Sequence, residues 1–335
     1  MKPIERVKAL LEGKKLDVPA INLWKHFPPY DENPVQLVRK ITQFQERFNW
    51  DFVKVTYQGL YSIQDWGSWI KWPERNCEWP NTCAGVGAVT DFSIKNEEDW
   101  TKLRVLSMDE GAMKDAIDAV KGAVSRFKGE APVVVTVFNP LTTAVKMSGD
   151  KMFIHMRRNP ESFKKGLEVI TQTTVELVKS VMDVGADGIF FASQLGNFDK
   201  MSVQEYETFG TPYDLEILSH ADKGWFNIMH MHGNFPMFEI MSKYPVQALN
   251  WHDRLVDISL KQGRQMCRDK LLIGGVDEFK VLPEAGNKDL KAHLADALQQ
   301  VEDGRIILGP GCCVPSSINE DRFELAKKLL KELFS

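Results

Sequence analysis

The chain has 335 residues, 43% hydrophobic and 26% charged, with a formal net charge of −4. Those proportions describe an ordinary soluble globular protein, and the small acidic excess argues against a dedicated nucleic-acid binder, which needs clustered Lys and Arg against phosphates. Five cysteines, two of them adjacent at Cys312 and Cys313, do not suit a secreted disulfide framework, so free thiols in a reducing compartment are expected.

Residues 1–15 mix charges into an amphipathic helical pattern and lack the apolar core of a secretion signal. No later stretch reaches the roughly 18 uninterrupted apolar residues of a membrane span. A cytoplasmic protein with neither membrane nor nucleic-acid partners is expected. Residues 17–24 read as a buried strand that opens onto Lys25-His26-Phe27-Pro28-Pro29-Tyr30, where the double proline ends regular structure. Asn33-Pro34 starts a helix towards residue 48, and a second strand over 51–57 ends near Gln58.

From 59 to 91 the composition turns to Trp, Gly, Pro and Asn, with Trp66, Trp69, Trp72 and Trp79 close together. A loop of this length in a compact domain suits a lid or substrate wall, or else an edge hairpin. Cys77 and Cys83 within it lack the second pair that a zinc site needs. An acidic helix start follows at 96–100, a helical pattern at 109–128, and a nearly all-apolar third strand at 131–138. Asn159-Pro160 caps a long helix to about 184, and 189–193 is the fourth strand. A capping box, Ser202-Val203-Gln204-Glu205, opens the next helix. Strands five to eight fall at 225–230, 246–251, 271–276 and 305–308, with a helix over 288–302 before the last. Ser317-Ile318-Asn319-Glu320 reads as a second capping box that starts the terminal helix.

Eight strands alternating with helices, with no low-complexity linker, predict one (β/α)8 TIM barrel spanning 1–335, with a Trp-rich insertion after strand two. The competing doubly wound sheet would carry a Gly-rich phosphate loop after its first strand, where this chain has Trp-Lys-His-Phe-Pro-Pro.

Barrel active sites stand at the carboxyl ends of the strands. The polar residues there are His26, Gln58, Asn139, Gln194, His230 with His232, His252 with Asp253, Asp277 with Glu278, and Cys312 with Cys313. In Asn227-Ile228-Met229-His230-Met231-His232-Gly233-Asn234 the two histidines are two residues apart, so on a strand both imidazoles face one way. They either hold a turn by hydrogen bonds or form half of a metal site. Cys312, after the Gly309-Pro310-Gly311 turn, is the expected third ligand, and imidazole with thiolate favours zinc over magnesium or calcium. Cys313 is read as a small buried residue. His252 and Asp277 suggest acid–base chemistry, and His26, Gln58, Asn139 and Gln194 are candidate substrate contacts.

These motifs resemble the uroporphyrinogen decarboxylase superfamily, which includes corrinoid-dependent methyltransferases on a (β/α)8 barrel. In that branch a His-x-Cys-Gly-Asn-like strand end and a later Gly-Cys near proline supply zinc ligands. Here His230-Met231-His232-Gly233-Asn234 and Pro310-Gly311-Cys312-Cys313-Val314-Pro315 match them. The layout agrees over nearly all of the chain, including Asp150-Lys151 before the Asn159-Pro160 helix and the Gly274-Gly275-Val276-Asp277 strand end. Two departures stand out. His232 replaces the branch's cysteine, and residues 24–30 lack the arginines with which the decarboxylases bind acidic porphyrin side chains. The resemblance implies a zinc-dependent methyltransferase that moves a methyl group between a corrinoid carried on a partner protein and a small thiol or similar acceptor. The alternatives are a decarboxylase of a different acid and a non-catalytic tetrapyrrole- or corrinoid-binding barrel.

Overall fold

The computed structural model describes residues 1–72 and 87–334. Helices alternate with eight parallel strands: β1 (Ala20–Ile21), β2 (Val53–Val55), β3 (Val133–Phe138), β4 (Gly188–Ser193), β5 (Ile228–Met231), β6 (Ala248–Trp251), β7 (Leu271–Val276) and β8 (Ile306–Pro310). Pairing follows chain order from β2 to β8, and β8 then pairs with β1 through Ala20↔Ile307 and Ile21↔Leu308. The sheet is therefore curled, consistent with a TIM barrel. Side chains span β1 and β2: Asp51 accepts the Ile21 N–H at 2.7 Å and Asn22 accepts the Phe52 N–H at 2.8 Å.

Every residue of β3, β4 and β7 is buried, as expected for parallel strands with helices outside and side chains inside. One cluster joins Val7 and Leu10 of the Pro3–Leu11 helix to Trp24, Phe52, Phe190, Ile228, Ala248 and Ile307. Met229, Met231, Leu249 and Trp251 belong to the larger cluster beneath the helices. The period of two then sends Ile228, His230 and His232 to the inner side of the sheet, with Ala248, Asn250 and His252 beside them. Register supports this, since His230 pairs with Asn250.

The predicted helix starts at Asn33, Asn159 and Ser202 are present, each side chain accepting an amide of the first turn. The terminal helix differs: it spans Asp321–Lys331, with Glu320 at its N-cap making no side-chain capping bond. Glu320 is instead drawn to Lys25 at 2.7 Å and Arg47 at 3.1 Å. Of the Trp-rich segment, Trp69–Lys71 and Ala88–Asp91 pair as an antiparallel hairpin apart from the main sheet. Trp66 is tied outward by its indole N–H to the Arg104 carbonyl at 2.9 Å. Trp79, Cys77 and Cys83 lie outside the described residues. Among the described residues no helix is long and apolar enough to cross a membrane.

Candidate metal centre

At the carboxyl ends of β5 and β8, one ligand atom each from His230, His232 and Cys312 lie within 4.8 Å of one another. His230 is buried, and the other two are half-buried. The Nδ1 of His230 stands 2.6 Å from the Asn250 oxygen, while the Asn250 amide nitrogen donates to the carbonyls of Ile273 at 2.9 Å and Pro310 at 3.0 Å. With both amide protons given to carbonyls, that oxygen can only accept. His230 therefore carries its proton on Nδ1 and keeps the Nε2 lone pair for a metal. Burial, then the neighbouring imidazoles of His232 and His252, push the His230 pKa well down, and burial chiefly holds His232 at about 4. Both rings are neutral at pH 7, the form that ligates.

Cys312 arrives on a tight turn. A Cβ at Gly311 would stand 2.7 Å from the His252 Cα and 3.0 Å from its Nδ1, so only glycine lets the two backbones approach this closely. The fully buried Glu278 carboxylate fixes the turn, accepting the Gly311 N–H at 3.1 Å and the Cys312 N–H at 2.8 Å. The same carboxylate lies 3.4 Å from Nδ1 of His252, whose Nε2 is 3.2 Å from Nδ1 of His232. A hydrogen bond from Cys313 is the main cause of a lowered Cys312 pKa, and the same contact raises Cys313 to about 12. Thiolate character thus concentrates on Cys312. The donor set, two bare imidazole nitrogens and one acidic thiol, suits zinc.

The remaining expected residues are placed around this cluster. His26 is buried, with Nδ1 3.2 Å from the Asp31 carboxylate. Burial opposes its protonation, but Cys313 and Asp31 together raise its pKa to about 9. Gln58 accepts the Leu60 N–H at 2.7 Å and donates to Gln64 at 2.9 Å. Asn139 caps the Pro140–Ser148 helix and donates to Ser193 and to the buried Asp214. Gln194 is half-buried at the end of β4, its backbone bonded to the Thr142 hydroxyl. Asp277 accepts the N–H groups of Phe279 and Lys280, both at 2.9 Å, so the carboxylate that faces His252 is that of Glu278.

Asn250 and Glu278 support the cluster; Asn250 did not stand out as a site residue in the sequence, and Glu278 stood at a strand end beside Asp277 without an assigned role. An asparagine inside the apolar run Ala-Leu-Asn-Trp was the available signal. Two cations also escaped notice. Lys54, on β2, donates to Thr56 at 2.7 Å with its ammonium 4.5 Å from the Phe190 ring centre, and Phe190 stacks on His230 at 5.0 Å. Lys146 donates to the Gly59 carbonyl at 3.0 Å over the Phe138 ring. Burial lowers both pKa values, that of Lys146 strongly. Among the described residues neither has a carboxylate within ion-pair reach.

A curled parallel sheet with a His-His-Cys cluster at the carboxyl ends of its strands defines an α/β protein with a candidate metal site where barrel active sites form. The chain belongs to the uroporphyrinogen decarboxylase (URO-D) family, whose model matches residues 24–333. Among curated proteins it is 25% identical over 249 residues to the methylcobamide:CoM methyltransferase MtbA of Methanosarcina acetivorans, covering 72% of this chain and 71% of that one. The MtbA of Methanosarcina mazei is 25% identical over 247 residues, with the same coverage of 72% and 71%. Among solved structures, a methyltransferase from Methanosarcina mazei matches with TM-score 0.85 and 18% identity over 100% of both chains. A B12-independent methionine synthase from Shewanella sp. W3-18-1 matches with TM-score 0.56 and 14% identity over 94% of each. These two structures speak to the fold.

Proposed function

We propose that this protein is a zinc-dependent methyltransferase that moves a methyl group between a corrinoid on a partner protein and a small thiol acceptor. The observation that carries the reading is the convergence of His230, His232 and Cys312 at the strand ends, and the methyltransferase names of the curated relatives support it. Zinc held there would bind the acceptor thiol and lower its pKa, so that the thiolate is present at neutral pH. Asn250 holds His230 with its Nε2 bare, and Glu278 anchors the backbone of Cys312. One thiolate and two neutral imidazoles leave a divalent ion with one net positive charge. Lys54, without a carboxylate partner among the described residues and with the Cys313 and Cys312 thiols favouring its charged form against burial, adds to it and favours an acceptor that carries an anionic group besides its sulfur. We further propose that the curled sheet is a complete (β/α)8 barrel.

Porphyrinogen decarboxylation finds no support in the β1 loop. Its single lysine, Lys25, is already held by Glu320 at 2.7 Å. The test is metal analysis of protein purified without chelators, followed by methyl transfer from free methylcobalamin to a panel of thiols. Near-stoichiometric zinc and methylated thiol are expected. Absence of bound metal sinks the mechanism.

A further inference from the structure

We infer that His252, backed by Glu278, is a positioning residue that fixes the tautomer of His232 and presents the Nε2 of His232 to the metal. This rests on the metal reading above and deepens it at the position where a histidine replaces the cysteine of the family's methyltransferase branch.

A thiolate ligand has no tautomers. An imidazole has two, and only the one with its proton on Nδ1 leaves Nε2 able to ligate. His230 has Asn250 for this purpose, with the acceptor oxygen 2.6 Å from Nδ1. His232 has no amide beside its Nδ1; the group there is the Nε2 of His252, at 3.2 Å. With His252 neutral, two arrangements of that contact are possible; an imidazolium His252 would donate to His232 and so give the first outcome for His232. If His252 donates, its own Nδ1 is a bare lone pair facing the Glu278 carboxylate at 3.4 Å, and His232 carries its proton on Nε2. If His232 donates, His252 has its proton on Nδ1, towards Glu278, and the Nε2 of His232 is bare. Lone pair against carboxylate is repulsive and proton towards carboxylate attractive, in a site where both side chains are buried: Glu278 is 1% exposed and His252 7%. The second arrangement prevails.

The order of contacts is then Glu278, His252, His232, metal. Because Glu278 also accepts the Gly311 and Cys312 N–H groups, one carboxylate orients two of the three ligands. The backbone of Gly311 packed on His252 keeps that ring from turning away.

Histidine 15N shifts of the intact metal-free protein read the tautomer without any substitution. His232 is expected protonated on Nδ1, and a proton on its Nε2 overturns the inference. Zinc affinity by chelator competition supplies the second readout. His252→Phe, which can neither accept nor donate, should weaken zinc binding about 10- to 100-fold. His252→Gln can accept from His232 through its oxygen and donate to Glu278, and should stay within about threefold of wild type. In a His232→Cys background the ligand needs no tautomer, so adding His252→Phe should cost less than about threefold. An equal loss in both backgrounds assigns the effect to packing and overturns the proposal, as does unchanged affinity in His252→Phe alone. Failure of wild-type protein to bind zinc overturns the proposed function along with it.

Discussion

Asn250→Leu tests whether the buried amide organises the centre. Leucine is close to asparagine in size, so the cost is not a cavity. It is the loss of the Asn250 side chain as partner to the Ile273 and Pro310 carbonyls and the Nδ1–H of His230, although the Ile273 carbonyl keeps its place in the parallel ladder with β6. At about 1–3 kcal/mol for each buried group left unpaired, Pro310 and His230 sum to about 2–6 kcal/mol. A carbonyl tolerates the loss better than an N–H group, which places the expected value near the lower end, about 2–3 kcal/mol. A domain with about 5–15 kcal/mol of stability survives that, so the variant should be foldable and measurable. Urea unfolding of metal-free protein reads the stability. Chelator competition reads zinc affinity, expected to fall about 10-fold or more once His230 is free to tautomerise and turn. Asn250→Asp separates the two effects: it restores an acceptor for His230 but sets an oxygen without a proton against two carbonyls. Affinity should recover while the stability loss persists. If Asn250→Leu unfolds within about 1 kcal/mol of wild type, or binds zinc equally well, the hydrogen-bond account of this strand is wrong.

Cys312→Ala should abolish stoichiometric zinc whereas Cys313→Ala should retain it; metal analysis of both proteins shows which adjacent thiol is the ligand. Lys54→Gln should raise the KM for an anionic thiol acceptor by about 10-fold, the equivalent of about 1.4 kcal/mol, and change that for a neutral thiol far less; equal effects on both would remove Lys54 from acceptor binding. Burial raises the Asp214 pKa from 3.8 to about 7 despite hydrogen bonds from Tyr206, Asn139 and Tyr244. The folded protein keeps that proton up to about pH 7, while the unfolded chain loses it near 3.8. This contribution to stability is therefore full below the lower value, declines as pH rises through the window, and is constant above it, spanning on the order of 4 kcal/mol. Asp214→Asn should flatten that part of the profile, measured as urea midpoints from pH 4 to 8.

Much of the architecture was legible in the residues because hydrophobic period and helix punctuation are local properties. The largely apolar runs at β3, β4 and β7 and the caps at Asn33, Asn159 and Ser202 needed no knowledge of distant contacts. The expected capping box at 317–320 did not form because Glu320 is taken by Lys25 and Arg47, partners hundreds of residues away in the chain. The same-side placement of His230 and His232 at a strand end was likewise readable, since side-chain direction on a strand follows from spacing alone. What surrounds those ligands was not readable. Which carboxylate faces His252 depends on the turn after β7, where Asp277 bonds to its own backbone and Glu278 reaches across to β8. That Asn250 serves His230 depends on parallel register, and that Lys54 lies inside near Phe190 depends on the curl of the sheet. Sequence by itself therefore determined the kind of fold and which residues can bind a metal. Tertiary structure decided their protonation and orientation, because a hydrogen-bond partner is a neighbour in space, and only the pairing of strands far apart in the chain makes such neighbours.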